Sequence, residues 1–397
     1  MRQWYQHTIA RLACAMALAA AIAAHAQTRV WSIRLETVGW VDPYKQRPPA
    51  PKPPTMGTDT NDRRQAIQNA IRSMPYDSDL GAIWSQQLVI DPSGQVIIGF
   101  GNKGEGPDKA KVFHVVTLDS NTGSVTQRMS QPTPMLNRTA VLLNADGSLL
   151  VVAKDRVQQV KADGTLGNSV EIPPQPDLNP RLRLRQSPSG KTLMLTTDDE
   201  AFRFIRTDTL ATIADCRTKN DEVEVINDSL GLSMEDTKGP YFELHAGPFC
   251  GHMRLLWTLS SGRSSQDHLL EDGTLVEIGV QEVRRLTLAD KTLWSWKAPE
   301  ALIVEDVGGS GISRDGTRLA VQLTAFKVLR SPGCMECTGP ESESWIVGVV
   351  VLDASNGKLV ATIPLDHANQ NRLAVAFSPD GKKIAILNGG VLELWAL

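Results

Sequence analysis

The stretch AFSPDGKKIAIL, residues 376–387, decides the fold. An apolar run enters a polar turn that ends in glycine, and a second apolar run leaves it. Pro379 presets the φ of a type I turn, Asp380 tolerates the next position, and Gly381 takes the positive φ that reverses the chain. The same pattern recurs upstream, as in VIDPSGQVIIGF at 89, LLNADGSLLVVA at 142, INDSLGLSME at 226 and ISRDGTRLAVQL at 312. The seven turn glycines are Gly94, Gly147, Gly190, Gly231, Gly273, Gly316 and Gly381, spaced 53, 43, 41, 42, 43 and 65 residues apart.

A period of 40–45 residues carrying four short strands is the mark of a propeller blade, so seven turns predict seven blades. The two long spacings predict insertions, at Asn102 to Lys109 and at Ser331 to Ser344. Strands beside the turn, such as Ala374–Phe377 and Ile384–Leu387, are apolar on both faces, as strands buried between neighbouring blades should be. After Asn371 the chain supplies only three strands. The alternating stretch Arg29 to Val41, with Trp31 and Trp40, supplies the fourth and leaves no free sheet edge in the ring. The predicted fold is all-β: a seven-bladed β-propeller over 84–397, closed by an N-terminal strand within 27–42. Between them, residues 43–83 hold a proline-rich linker, with six prolines in 43–54, and a short helix, Asp62 to Met74. Ala66, Ile67, Ala70, Ile71 and Met74 fall on one face of that helix.

LAVAFSPDGKKIAILNGGVLELWAL at 373–397 resembles a WD-repeat blade, with Leu394-Trp395 where that repeat ends in Leu-Trp-Asp and Ala396 in place of the Asp. VVVLDASNGKLVATIPL at 349–365 resembles the YVTN-type propeller repeat of secreted bacterial and archaeal proteins. The resemblance extends at blade level over 84–397. It implies the fold and leaves function open, because propellers host binders, scaffolds and enzymes.

Residues 1–26 read as a signal peptide. Arg2 and Arg11 supply positive charge, Leu12 to Ala24 is an uncharged apolar run, and Ala24-His25-Ala26 fits the cleavage pattern, leaving Gln27 as the mature N-terminus. The run is too short to span a bilayer, so the expected mature protein is periplasmic or secreted, without a membrane span. Export leaves four cysteines. Their even number in an oxidising compartment predicts two disulfides, most simply Cys334–Cys337 in CMEC and Cys216–Cys250 across a hairpin-sized separation. Zinc at these cysteines, with His245 and His252 beside Cys250, is the alternative; two spaced CxxC pairs are missing, and no metal is expected.

A net charge of -3 and pI near 6.2 argue against a nucleic-acid partner. Gly99-x-Gly101-x-x-Gly104 would need a helix to follow in order to hold a dinucleotide. Pro107 and another strand follow instead, so the glycines mark a hairpin loop. No nucleophile elbow, HExxH or P-loop is present, no catalytic residue is assigned and no cofactor is expected. His114 and His268 read as structural.

Aligning the repeats on their glycines gives one candidate site. Nine residues before the glycine stand Ser85, Arg138, Arg181, Glu222, Ser264, Val307 and Arg372. Seven before it stand Gln87, Ala140, Arg183, Glu224, Gln266, Gly309 and Ala374. The strand period of two puts both sets on one face. Arg138, Arg181, Arg183 and Arg372, with Glu222 and Glu224, would ring the channel mouth as a funnel for carboxylate or phosphate groups; solvent-screened pairs lining a channel are the plainer reading. The expected function is an exported, monomeric binding or scaffolding module for a protein or small anionic ligand. A propeller enzyme, quinoprotein-like or a lactonase or hydrolase, is the alternative.

Overall fold

The computed structural model describes residues 27–41, 87–103, 111–133, 141–152, 156–172, 183–196, 201–217, 223–236, 241–251, 254–260, 266–300, 302–307, 311–329, 341–365 and 373–397. The signal segment, the proline-rich linker, the predicted helix and the CMEC loop lie outside these residues.

The chain forms seven four-stranded antiparallel sheets, the blades of a β-propeller. In blades 1 to 6 the strands follow chain order from inner to outer. The inner strands are Gln87–Ile90, Val141–Leu143, Arg183–Gln186, Val223–Ile226, Gln266–Leu269 and Leu302–Asp306. Blade 7 takes Ala374–Phe377, Lys383–Asn388 and Val391–Ala396 from the C-terminus, and Thr28–Arg34 from the N-terminus as its outer strand. That strand pairs antiparallel from Thr28↔Ala396 to Arg34↔Val391, with a bulge between Arg29 and Trp31, closing the ring as the sequence predicts.

Six of the seven turn glycines have positive φ, between 63° and 89°. Each donates its N–H back to the first turn residue, as Gly381 does to Ser378 at 2.9 Å, while the Asp380 carboxylate accepts the Lys382 amide at 3.1 Å. Gly231 is the exception and corrects the alignment. It lies inside the strand Leu230–Asp236, and the reversal is made by Asp228-Ser229, closed by Asn227 N–H to Leu230 O at 3.0 Å. The Asn227 carboxamide oxygen accepts the amides of Ser229 and Leu230, holding the turn with a side chain instead of a glycine. The insertions lengthen the central hairpins of blades 1 and 6. Val96–Lys103 pairs with Lys111–Leu118, and Arg318–Leu329 with Glu341–Asp353. Asn102, expected in a loop, is therefore strand.

The core is divided among the blade boundaries. Seven clusters of buried apolar side chains each span two neighbouring blades. Leu88 and Ile90 meet Ala374 and Ala376 across the closing boundary. The smallest cluster, Leu232, Ala246, Leu269 and Leu275, joins blades 4 and 5. The same face of blade 5 buries Glu277 in an ion pair with Arg284, an arrangement that adds little net stability.

A second set of ties joins the outer strand of one blade to the turn between third and outer strands of the next. Trp31 donates its indole N–H to Ser120 O at 3.3 Å and covers Gly123; Trp294 does the same to Ala354 O at 2.9 Å and covers Gly357. Gln127 donates to Ala162 O at 2.9 Å. Between blades 3 and 4 the tie is covalent, the disulfide Cys216–Cys250, with Cα atoms 5.1 Å apart. The pairing is the predicted one, but it joins two blades and does not cross a hairpin. Phe249 beside it stacks on Phe204, ring centroids 4.0 Å apart.

Candidate functional site at the two ends of the ring

Inner-strand side chains alternate between the two adjacent blades. Gln87, a member of the predicted channel set, turns toward blade 2: its Nε2 donates to Val141 O and its Oε1 accepts the Leu143 amide, both at 2.6 Å. Ala374 is buried at the boundary of blades 7 and 1. The described side chains of the set thus lie in blade boundaries. Arg183 opens its strand at the position of Gln87 and Ala374, three residues before the strand end. Arg138, Arg181, Glu222 and Arg372 lie outside the described residues.

Two members of the alignment are displaced. Glu224 sits in the irregularity between Val223 and Val225, two residues before its strand end, so it is out of step with Arg183. The cause is the two-residue turn of blade 4 combined with this bulge. In blade 6, Val307 is fully buried in the core and follows the inner strand Leu302–Asp306. The strand pairing places Asp306 opposite Val321 and Ile312 opposite Leu319, leaving an excursion between them. Glu305, opposite Gln322, takes the position that Arg183 holds in blade 3. Its carboxylate accepts Gln322 Nε2 at 2.8 Å and Thr324 Oγ1 at 2.6 Å. Counting back from a glycine could not find Glu305, because the excursion intervenes.

The histidines are engaged in pairs. His268 Nε2 lies 3.2 Å from Asp306 Oδ1, joining blades 5 and 6. His114 Nδ1 lies 2.9 Å from Ser130 Oγ; burial, then the nearby Arg128 charge, push its pKa down. His245 lies opposite Ser233 in blade 4, and His252 lies outside the described residues. Among the described residues no three His, Cys, Asp or Glu side chains are grouped as metal ligands. Gly99 and Gly101 lie within the strand Val96–Lys103 and not in a loop. A Cβ at Gly99 would stand 2.6 Å from the Phe113 ring, which gives this glycine a packing role.

The opposite end of the ring is built from the turns that leave the inner strands. Their second residues in blades 4, 5 and 6 are Asp228, Glu271 and Arg314, where blades 1, 3 and 7 carry proline. Asp228 accepts Ser187 Oγ at 2.7 Å and Ser189 Oγ at 2.8 and 2.9 Å, binding blade 4 to blade 3. Its amide donates to Glu271 Oε2 at 2.9 Å, binding blade 4 to blade 5. Burial raises the Glu271 pKa, an effect that the Asp228 amide opposes and the Asp228 carboxylate reinforces. Arg314 reaches from blade 6 to the turn of blade 3: a Cβ at Gly190 would lie 3.3 Å from its Nη2. Desolvation lowers its pKa, with the Asp146 charge acting the other way.

No family model and no curated protein matches the chain. Among solved structures it is similar to KlHsv2 with loop 6CD replaced by a Gly-Ser linker, at 14% identity and TM-score 0.37, covering 63% of this chain and 73% of that one. It is also similar to the C-terminal WD40 domain of Sif2, at 12% identity and TM-score 0.40, covering 76% of this chain and 92% of that domain. The fold rests on the seven sheets themselves.

Proposed function

We propose that the chain is an exported binding or scaffolding propeller that presents one end of a braced ring to a protein or an anionic ligand and performs no chemistry of its own. The observation that carries this reading is the investment in blade boundaries: seven apolar clusters, two tryptophan clasps and an inter-blade disulfide. Such bracing suits a surface whose shape must persist, since a pre-organised surface loses little freedom on binding. The Cys216–Cys250 bond supports an oxidising compartment, in keeping with a signal peptide cleaved after Ala26. Kinship with YVTN-type secreted propellers, a second disulfide Cys334–Cys337 and a monomeric state belong to the same proposal.

Arg183, which opens its inner strand, and Arg138, Arg181 and Arg372, which precede inner strands in the sequence, are the residues proposed to draw the partner's negative charge. Crosslinking the protein in its exported fraction, followed by peptide mass spectrometry, tests this. Crosslinks should cluster at the strand-start end and diminish in Arg183→Ala and Arg372→Ala variants that keep the wild-type melting temperature. Crosslinks confined to the outer strands, or indifferent to both substitutions, contradict it.

A further inference from the structure

The bond between Cys216 and Cys250 takes the place that a hydrogen bond takes at other blade boundaries. Elsewhere the outer strand of one blade reaches the turn of the next through Trp31, Gln127 or Trp294. Between blades 3 and 4, among the described residues, no hydrogen bond joins the outer strand Thr212–Arg217 to the turn at 248–251. The disulfide links them, supported by the stacking of Phe249 on Phe204. Two features set Cys250 apart. It is exposed, whereas Cys216 is half-buried against the cluster that holds Met194, Phe202 and Phe204. Its φ of 56° is also left-handed, a conformation that residues with a Cβ rarely adopt. Exposed or strained disulfides are the ones that exchange with thiols.

We propose that Cys216–Cys250 is a thiol-exchange site, at which a dithiol reductant unlocks the outer hairpin of blade 4 from blade 3 while the ring stays closed. One reductant thiolate attacks the Cys250 sulfur, the S–S bond breaks, and Cys216 leaves as a thiolate that takes up a proton. The second reductant thiolate then attacks its partner sulfur in the mixed disulfide and expels Cys250, which is protonated in turn. Two electrons pass: the protein disulfide becomes two thiols and the dithiol becomes a disulfide. Blade 4 stays seated because its inner turn is held from both sides. Asp228 accepts the Ser187 and Ser189 hydroxyls of blade 3, and Asn227 Nδ2 donates to Leu270 O of blade 5 at 2.8 Å. Release lets Phe249 lift from Phe204, so the two redox forms present different surfaces at this edge. The site does not depend on the arginines of the binding reading.

Dithiothreitol treatment of the native full chain, followed by alkylation and by hydrogen exchange read on peptides, tests the site. The pair should open without denaturant, and peptide mapping separates it from Cys334 and Cys337. Amides of 241–260 should then exchange about tenfold or more faster, while those of blades 1, 6 and 7 do not change. Glutathione, a monothiol, should be trapped on Cys250. In a Cys216→Ser, Cys250→Ser variant the same amides should exchange fast with or without dithiothreitol. A bridge that opens only in urea, or an opening that leaves exchange unchanged or raises it in every blade, would overturn the proposal, whether or not the variant folds. So would glutathione on Cys216 or on neither cysteine.

Discussion

Trp294 lies so close over Gly357 that a Cβ on the glycine would stand 2.6 Å from the indole ring. The same indole donates to Ala354 O, so one side chain fixes the turn of the next blade by both packing and polarity. Gly357 has φ 70° and Gly164, at the corresponding turn of blade 2, has φ 84° with nothing within 4 Å of a Cβ. Gly164→Ala should therefore cost only the left-handed backbone term, about 1–2 kcal/mol. Gly357→Ala adds the clash and should cost about 2–4 kcal/mol. Urea denaturation of the two variants checks the difference; equal losses would mean that the clasp does not hold.

Ring closure depends on Glu393. Its carboxylate accepts Arg29 Nη1 at 2.7 Å and Trp395 Nε1 at 3.1 Å while itself nearly buried. Glu393→Ala strands the buried Trp395 indole N–H and should cost about 1–3 kcal/mol. Arg29 is half exposed, and Arg29→Ala should cost less than about 1 kcal/mol. Melting curves should rank the two in that order.

The Cys216–Cys250 bridge closes a separation of 34 residues and ties blade 3 to blade 4. By loop entropy its removal should cost about 3–4 kcal/mol. A Cys216→Ser, Cys250→Ser variant should lose that stability in urea, and adding dithiothreitol should then change nothing further at this pair.

Two opposite pH effects are built into the turns. In Asp380 the Ser378 hydroxyl, then the Lys382 amide, hold the carboxyl below its usual range. A lowered folded pKa contributes stability above the unfolded pKa that is lost as pH falls through the folded one. In Glu271 the folded pKa is raised, so stability falls as pH climbs from the unfolded value to the folded one. Glu271→Gln should remove that decline, while Asp380→Asn should flatten the acid limb. Urea midpoints between pH 3 and 7 read both.

The turns were legible in the sequence because a positive φ selects glycine, and the closing strand because the last blade lacked one. Two things were hidden for physical reasons. Blade 4 replaces glycine with the Asn227 side chain, which shifts Glu224 out of step, and the blade 6 excursion after Asp306 hides Glu305. The third-to-outer turns were hidden too. Leu210, Cys250 and Asp290 hold positive φ there without being glycine. Asp228 and Glu271 occupy a turn position that accepts almost any residue, so only the ring shows that they meet.

The most direct test of the account is a native mass spectrum of the protein recovered from its exported fraction, set beside its denatured mass. The account predicts a chain beginning at Gln27, lighter than the reduced form by two hydrogens for each disulfide, and carrying no cofactor mass. A bound cofactor, or a full-length chain with residues 1–26 retained and free thiols, would contradict it.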